Sequence, residues 1–146
     1  MNRYVCGFMF DDFKENVVLI KKNRPEWQAG LLNGVGGKIE DGESPFVAMG
    51  REFYEEAGVP ADDTLWWHFC TLHGHRVGGE PIWQVYFFTD NSFGEAYTHA
   101  HTKTNEEIVK VPTSRLPTNV VPNLRWLIPM AKNGFFHNVY ETTYVD

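Results

Sequence analysis

The residues from Gly37 to Val59, GKIEDGESPFVAMGREFYEEAGV, carry a dense run of carboxylates: Glu40, Asp41, Glu43, Glu52, Glu55 and Glu56. The glycine-rich run Gly34-Val35-Gly36-Gly37 leads into it. Carboxylates this close repel one another, and a fold tolerates them on one face most easily when cations neutralise them. Side chains three and four positions apart share a helix face, which places Glu52, Glu55 and Glu56 within an arc of about 100°. Phe46, Met49, Phe53 and Ala57 fall on a neighbouring face suited to packing on a sheet. Ser44-Pro45 has the chemistry of a helix start, an N-cap followed by a first-turn proline, and Gly58 that of a helix stop. Hard divalent cations such as Mg²⁺ take oxygen ligands and are commonly held by a few carboxylates together with a substrate's phosphates. The segment therefore suggests a metal site that handles phosphates. The E-x-x-E-E pattern by itself is equally compatible with a solvated acidic face.

The whole stretch resembles the box of the Nudix hydrolase family, G-x5-E-x7-R-E-U-x-E-E-x-G-U, with U a bulky apolar residue. Gly37 is followed by five residues and Glu43, then by seven residues and Arg51-Glu52-Phe53-Tyr54-Glu55-Glu56-Ala57-Gly58-Val59, so every specified position matches. The resemblance implies hydrolysis of a nucleoside diphosphate linked to another group, by attack of water on phosphorus. It implies Mg²⁺ as cofactor, with Mn²⁺ as a substitute, and makes Glu55 and Glu56 the principal metal ligands. Glu52 is either a further ligand or the base that takes the water proton; Arg51 holds a box carboxylate in its rotamer, and Arg51, Glu52 and Glu55 form the catalytic set. Gly36 is expected to offer its carbonyl to the metal and Lys38 to meet a phosphate or a carboxylate. One more carboxylate is expected from Glu106 or Glu107, with Glu107 favoured. Glu43 stays open between metal ligand and structural partner of the loop.

Specificity lies outside the box. Leu32-Asn33-Gly34-Val35-Gly36-Gly37-Lys38 resembles the Trp-Asn-Gly-Phe-Gly-Gly-Lys run of the MutT-like, oxidised-purine nucleoside triphosphatase branch, whose Asn bonds the base. An Asn amide offers both a donor and an acceptor, so Asn33 either reads a base edge or only steadies the glycine turn. Val121 to Pro129 resembles that branch's late helix, but Val121, Asn123 and Leu124 stand where the branch has the Trp and two Asp residues of its base pocket. Asn123 is thus a candidate base reader, with helix capping as the alternative. Tyr4, Phe8, Trp27 and Trp83 are candidates for stacking, each also readable as core or strand surface. The Pro of the ADP-ribose branch and the Tyr of the dinucleoside polyphosphate branch are both missing from the region Gly74-His75-Arg76-Val77. The expected activity is a Mg²⁺-dependent pyrophosphohydrolase that converts a nucleoside triphosphate to a monophosphate and pyrophosphate. The leading specific substrate is 8-oxo-dGTP or a related purine dNTP. The alternatives are another nucleoside diphosphate derivative (ADP-ribose, a nucleotide sugar, a dinucleoside polyphosphate or capped RNA) and, from a different class, a non-catalytic nucleotide sensor. Such sensors typically lose box carboxylates, which this chain keeps.

The elements that must position these groups follow from local patterns. Tyr4 to Phe10 and Val17 to Lys21 read as a strand hairpin around Asp11-Asp12; Asn23 to Gly30 reads as a loop, followed by the glycine turn and the box helix. Leu65 to Leu72 and Pro81 to Thr89 read as strands joined through His73 to Gly79, and Ile108 to Val111 as a short one. Pro122 to Lys132 reads as a helix capped at Asn123, containing Pro129 and ending at Asn133-Gly134; Phe135 to Tyr144 reads as a last strand or an extended tail. Strands on both sides of one helix, with a second helix late in the chain, predict an α/β fold with a mixed sheet between helices. The family resemblance makes this an α/β/α sandwich formed by residues 1–146 as one Nudix domain. The chain has 146 residues, 42% of them apolar, with a formal charge of -6. That acidity argues against a nucleic-acid polymer as partner, capped RNA remaining open, and leaves a small-molecule nucleotide as the expected one. No signal peptide or membrane-length apolar run is visible, and two cysteines without a secretion signal suggest reduced thiols and a cytoplasmic location. The resemblance also admits a homodimer.

Overall fold

The computed structural model describes residues 1–133 and the backbone of 140–145. Its strands are β1 (Asn2–Phe10), β2 (Asn16–Lys21), β3 (Leu32–Asn33), β4 (Val35–Lys38), β5 (Trp66–His75), β6 (Pro81–Asp90), β7 (Ile108–Pro112) and β8 (Tyr140–Val145), and its α-helices are α1 (Pro45–Ala57) and α2 (Leu124–Asn133). The strand order is β3-β2-β1-β6-β5-β8, with β4 added to β1 and β7 to β2. β1 runs parallel to β6 and β5 parallel to β8, while the other pairs are antiparallel, so the sheet is mixed.

Alternation along β1 sorts the core into two layers. Val5 and Met9 pack with Met49, Phe53 and Ala57 of α1, whereas Cys6, Phe8 and Phe10 pack with Leu124, Leu127 and Ile128 of α2. A strand buried on both faces has to be apolar at consecutive positions, as Val5 to Phe10 is. The result is the expected α/β/α sandwich. Ser44 caps α1 through Oγ, which accepts from Val47 N–H at 3.1 Å; Pro45 opens the helix, and Gly58 ends it at φ 76°. Phe46 departs from its expected place on the sheet. It lies in the first turn and is 57% exposed, touching Phe88 edge-on at 6.4 Å.

The glycine run is not a turn. Val35 to Lys38 forms strand β4 against β1, with Gly36 opposite Cys6 and Gly37 opposite Val5. β1 thus pairs along one edge with β4 at Tyr4 to Gly7 and then with β2 at Met9 and Phe10. Asn33 and Gly34 lie where the chain passes from one partner sheet to the other. Gly30, Gly42, Gly58, Gly78, Gly79 and Gly94 have positive φ, and Gly34, Gly36 and Gly37 are not among them. Their lack of a side chain serves close packing instead: a Cβ on Gly36 would strike the Val5 carbonyl and come within 2.8 Å of Cys6 Cα.

On the opposite face of the sheet from α1, α2 holds Pro129 internally, as read from sequence. Of the expected last strand the structure describes Tyr140–Val145; Phe135 to Val139 and Gly134, the expected helix stop, lie outside the described residues. No helix among the described residues is long and apolar enough to cross a membrane.

Candidate active site

Arg51 organises the carboxylates of α1. Its Nε and Nη2 grip Glu43 at 2.7 and 2.9 Å, Nη1 donates to Glu52 at 3.0 Å and to Glu55 at 3.2 Å, and Nη2 reaches the Lys38 carbonyl at 3.1 Å. A planar guanidinium supplies five N–H donors in fixed directions, which is why one side chain can hold three acids and a backbone carbonyl. These bonds hold the Glu43 carboxyl below the usual carboxylate range, the Arg51 hydrogen bonds outweighing the opposing effect of partial desolvation. Glu43 Oε1 also accepts from Glu40 N–H at 3.1 Å, so this carboxylate closes the loop before α1 and is committed to it.

Glu52 is the most buried carboxylate of the helix, at 8% exposure. Its carboxyl fills the space a side chain on Gly37 would need: a Cβ there would lie 2.6 Å from Oε2 and nearer still to Cδ and Oε1. Burial raises the Glu52 pKa above its ordinary value, with Glu55 and Glu56 adding to the rise and Arg51 opposing it. Glu55 is exposed and, among the described residues, held by Arg51.

The third acid, Glu56, is half-buried and looks away from Arg51 toward the start of β7. Burial raises its pKa first and the charge of Glu106 next, against the lowering effects of Lys22 and of a 3.4 Å hydrogen bond from Thr104 Oγ1. Glu106 itself is buried and well anchored. Lys22 Nζ stands 3.2 Å from Oε1, and Asn23 N–H donates to Oε2 at 2.6 Å. Desolvation alone would raise the Glu106 pKa, but these partners and the Arg24 N–H bring it below its ordinary value. β2 and β7 create this contact: Ile20 faces Ile108, and extending that antiparallel register by two residues sets Lys22 opposite Glu106. Asn23, Arg24, Glu56, Thr104, Asn105 and Glu106 line a cavity of about 280 Å³.

Of the two acids that precede β7, Glu106 and Glu107, the structure brings Glu106 to Glu56. Glu107 is exposed, with its main chain spent on the sheet through a 2.8 Å bond from Lys21 N–H, and Glu106 is the residue that faces Glu56. Strand alternation carried the signal. Ile108 packs toward the α1 layer, so Glu106 shares its side and Glu107 does not.

Among the described residues two cations, Arg51 and Lys22, thus serve six carboxylates: Glu40, Glu43, Glu52, Glu55, Glu56 and Glu106. Among the described residues no three His, Cys, Asp or Glu side chains stand close enough together to hold a metal ion by themselves. An all-oxygen, cation-deficient and open donor set is what a hard ion shared with substrate phosphates requires, so the residues fit a divalent cation.

A family model for the NUDIX domain matches residues 1–129. The chain belongs to the Nudix family. It is a Nudix hydrolase, of an enzyme class acting on nucleoside diphosphate-linked substrates with the help of a divalent metal. The solved structures it resembles agree on the fold. A MutT structure from work on the Aliivibrio salmonicida and Vibrio cholerae proteins is 22% identical, with 92% of this chain and 98% of that one covered at a TM-score of 0.64. A MutT Nudix hydrolase from Burkholderia pseudomallei is 18% identical, with 92% and 97% covered and a TM-score of 0.67. A MutT protein from Bacillus halodurans is 17% identical, with 99% and 91% covered and a TM-score of 0.65. No curated protein matches the sequence.

Within this Nudix fold the other candidate residues separate. Gly36 sits in β4 directly before Gly37, and Lys38 is exposed at the strand's end. Asn33 is half-buried and its amide is engaged: Oδ1 accepts from Gly34 N–H at 2.8 Å and Nδ2 donates to Gln28 Oε1 at 2.9 Å. The bridge between Leu32 and Val120 brings this segment beside the start of α2. Asn123 does not cap α2 with its side chain. Its main-chain carbonyl accepts from Leu127 N–H at 3.0 Å, while its Oδ1 is buried without a hydrogen bond. Of the stacking candidates, Phe8 is core, Trp83 packs against the α2-side core, and Trp27 is 65% exposed. Sequence reasoning passed over Lys22, Asn23, Thr104 and Gln28; only the Lys22 and Glu106 pairing left a trace, in strand register.

Proposed function

We propose that this Nudix hydrolase is a Mg²⁺-dependent pyrophosphohydrolase of nucleoside triphosphates, acting as a single domain and releasing a nucleoside monophosphate and pyrophosphate. The observation that supports it most is the carboxylate pair Glu56 and Glu106, which share the charge of Lys22 and line one cavity near the Arg51-held Glu52. Glu55, Glu56 and Glu106 are the residues that would hold the ion, with Gly36 contributing its carbonyl; Glu106 takes the place first given to Glu107. A bound divalent ion neutralises charge on the phosphoryl oxygens.

The chain's own contribution is positioning. Glu52, fixed by Arg51 in the space left open by Gly37, takes the proton of the attacking water as the new P–O bond forms and the bond to the pyrophosphate oxygen breaks. A raised carboxyl pKa suits that role, because the proton acceptor is then better matched to neutral pH. Lys38, exposed at the end of β4, meets the phosphates. The base falls to Asn33 and Asn123: the buried, unpaired Asn123 Oδ1 offers an acceptor to a base N–H, and the Asn33 amide retains a further N–H. Within the triphosphate class 8-oxo-dGTP or a related purine dNTP is the leading candidate.

The test is a hydrolysis panel with and without Mg²⁺, run on oxidised and unmodified dNTPs, ADP-ribose, a nucleotide sugar, dinucleoside polyphosphates and capped RNA. Highest kcat/KM for a triphosphate, with pyrophosphate as product, is the expected result. A clear preference for ADP-ribose or another diphosphate derivative overturns it. Glu56→Gln is expected to drop turnover to the assay background while the melting curve stays cooperative.

A further inference from the structure

We propose that the turn Glu26–Gln28 is the base-binding wall of the nucleotide site, with Trp27 stacking on the base and Gln28 acting as a positioning residue for Asn33. The proposal rests on the nucleotide reading of the site given above. Three observations carry it. First, Trp27 is 65% exposed on a turn with no buried residue, so packing does not explain a large aromatic there. Second, the turn is firmly mounted by its backbone. Gln28 N–H bonds Pro25 O at 2.9 Å, Gly30 N–H bonds Lys22 O at 2.8 Å, Lys22 N–H bonds Leu31 O at 2.8 Å and Leu31 N–H bonds Gln28 O at 2.8 Å. An aromatic face held out by a rigid backbone is pre-organised to receive a flat ring, at little entropic cost on binding.

Third, this one loop touches both ends of the site. Its base grips Glu106 through Lys22 and Asn23, next to Glu56, and its tip grips Asn33 through Gln28. A nucleotide has the same polarity, phosphates at one end and a base at the other. Gln28 Oε1 takes one N–H of the Asn33 amide while Gly34 N–H occupies its oxygen. Those two bonds fix which way the amide faces, and so which edge of a base it can read.

The test uses the full chain with Mg²⁺ and the best substrate of the panel. Trp27→Ala is expected to raise KM by roughly 5- to 100-fold with kcat changed by less than about twofold, and Trp27→Tyr to restore KM, as base stacking on an aromatic requires. Gln28→Ala is expected to raise KM by about 2- to 10-fold and to narrow the KM gap between purine and pyrimidine substrates; Gln28→Glu, which keeps an acceptor for Asn33 Nδ2, restores it. A binding readout separates this inference from the catalytic reading. The α,β-methylene analogue of GTP should quench the tryptophan fluorescence of the wild type, and Trp27→Phe should remove that quench while keeping affinity. An unchanged KM in Trp27→Ala, or an undiminished quench in Trp27→Phe, overturns the proposal even if the triphosphate reading stands. Absence of turnover on every nucleotide with the quench intact refutes the catalytic reading alone.

Discussion

Gly37→Ala offers the sharpest test of how the backbone places Glu52, the carboxylate proposed to take the water proton. The new Cβ would lie 2.6 Å from Glu52 Oε2 and nearer still to Cδ and Oε1, against an ordinary contact of at least 3.4 Å, so the carboxylate must move by at least about 0.8 Å. Glu52 is the far end of a flexible side chain and can make that move, but only by disturbing its 3.0 Å bond from Arg51. The lost charge-assisted bond costs about 1–3 kcal/mol, and replacing a strand glycine with alanine returns about 0.5–1 kcal/mol of chain entropy. Net stability should therefore fall by no more than about 2.5 kcal/mol. Misplacing a reacting group by about 1 Å costs on the order of 100-fold in rate. The expected result is kcat down about 100-fold, with a cooperative melt still in place. Gly36→Ala is the control, because its Cβ would meet the backbone of Val5 and Cys6, which cannot step aside. That variant should lose about 3 kcal/mol of stability or fail to fold. The assays are steady-state kinetics, thermal melts and a Mg²⁺ titration on both proteins. If Gly37→Ala keeps kcat within about threefold of wild type, the space beside Gly37 does not position Glu52 for catalysis.

Three further outcomes follow from the same geometry. Glu52 and Glu56 have pKa values raised above the ordinary 4.5, mainly by burial, so the stability they contribute is complete below that value and lost as pH rises through their folded pKa values. Metal-free protein in EDTA should accordingly lose melting temperature above pH 4.5, and Glu56→Gln should flatten that slope; an unchanged slope contradicts the assigned cause. Lys22→Met leaves the buried Glu106 carboxylate without its cation and should cost about 1–3 kcal/mol in urea denaturation, with Lys22→Arg restoring most of it. Ser44→Ala removes the hydrogen bond to Val47 N–H and should cost about 1 kcal/mol of stability, read by thermal melts, with KM unaffected.

Features set by neighbours in the chain were legible in the sequence. The Gly37 to Val59 spacing, the Ser44 cap, the Gly58 stop and the β1–β2 hairpin each depend on residues a few positions apart, and each appears in the structure where local chemistry puts it. The family and the helix carrying Glu52, Glu55 and Glu56 follow from the same segment. Tertiary structure alone decided what those carboxylates meet. Lys22 and Glu106 are 84 residues apart and join through a strand register, and Glu106 rather than Glu107 faces Glu56 because alternation from Ile108 selects one face of the sheet. The glycine run that resembled a turn became strand β4, since its value lies in letting β1 and the Glu52 carboxylate approach closely, and a steric vacancy leaves no pattern along the chain. Asn123 shows the same division: its place at the head of α2 was readable, while the buried, unpaired state of its Oδ1 depends on everything packed around it.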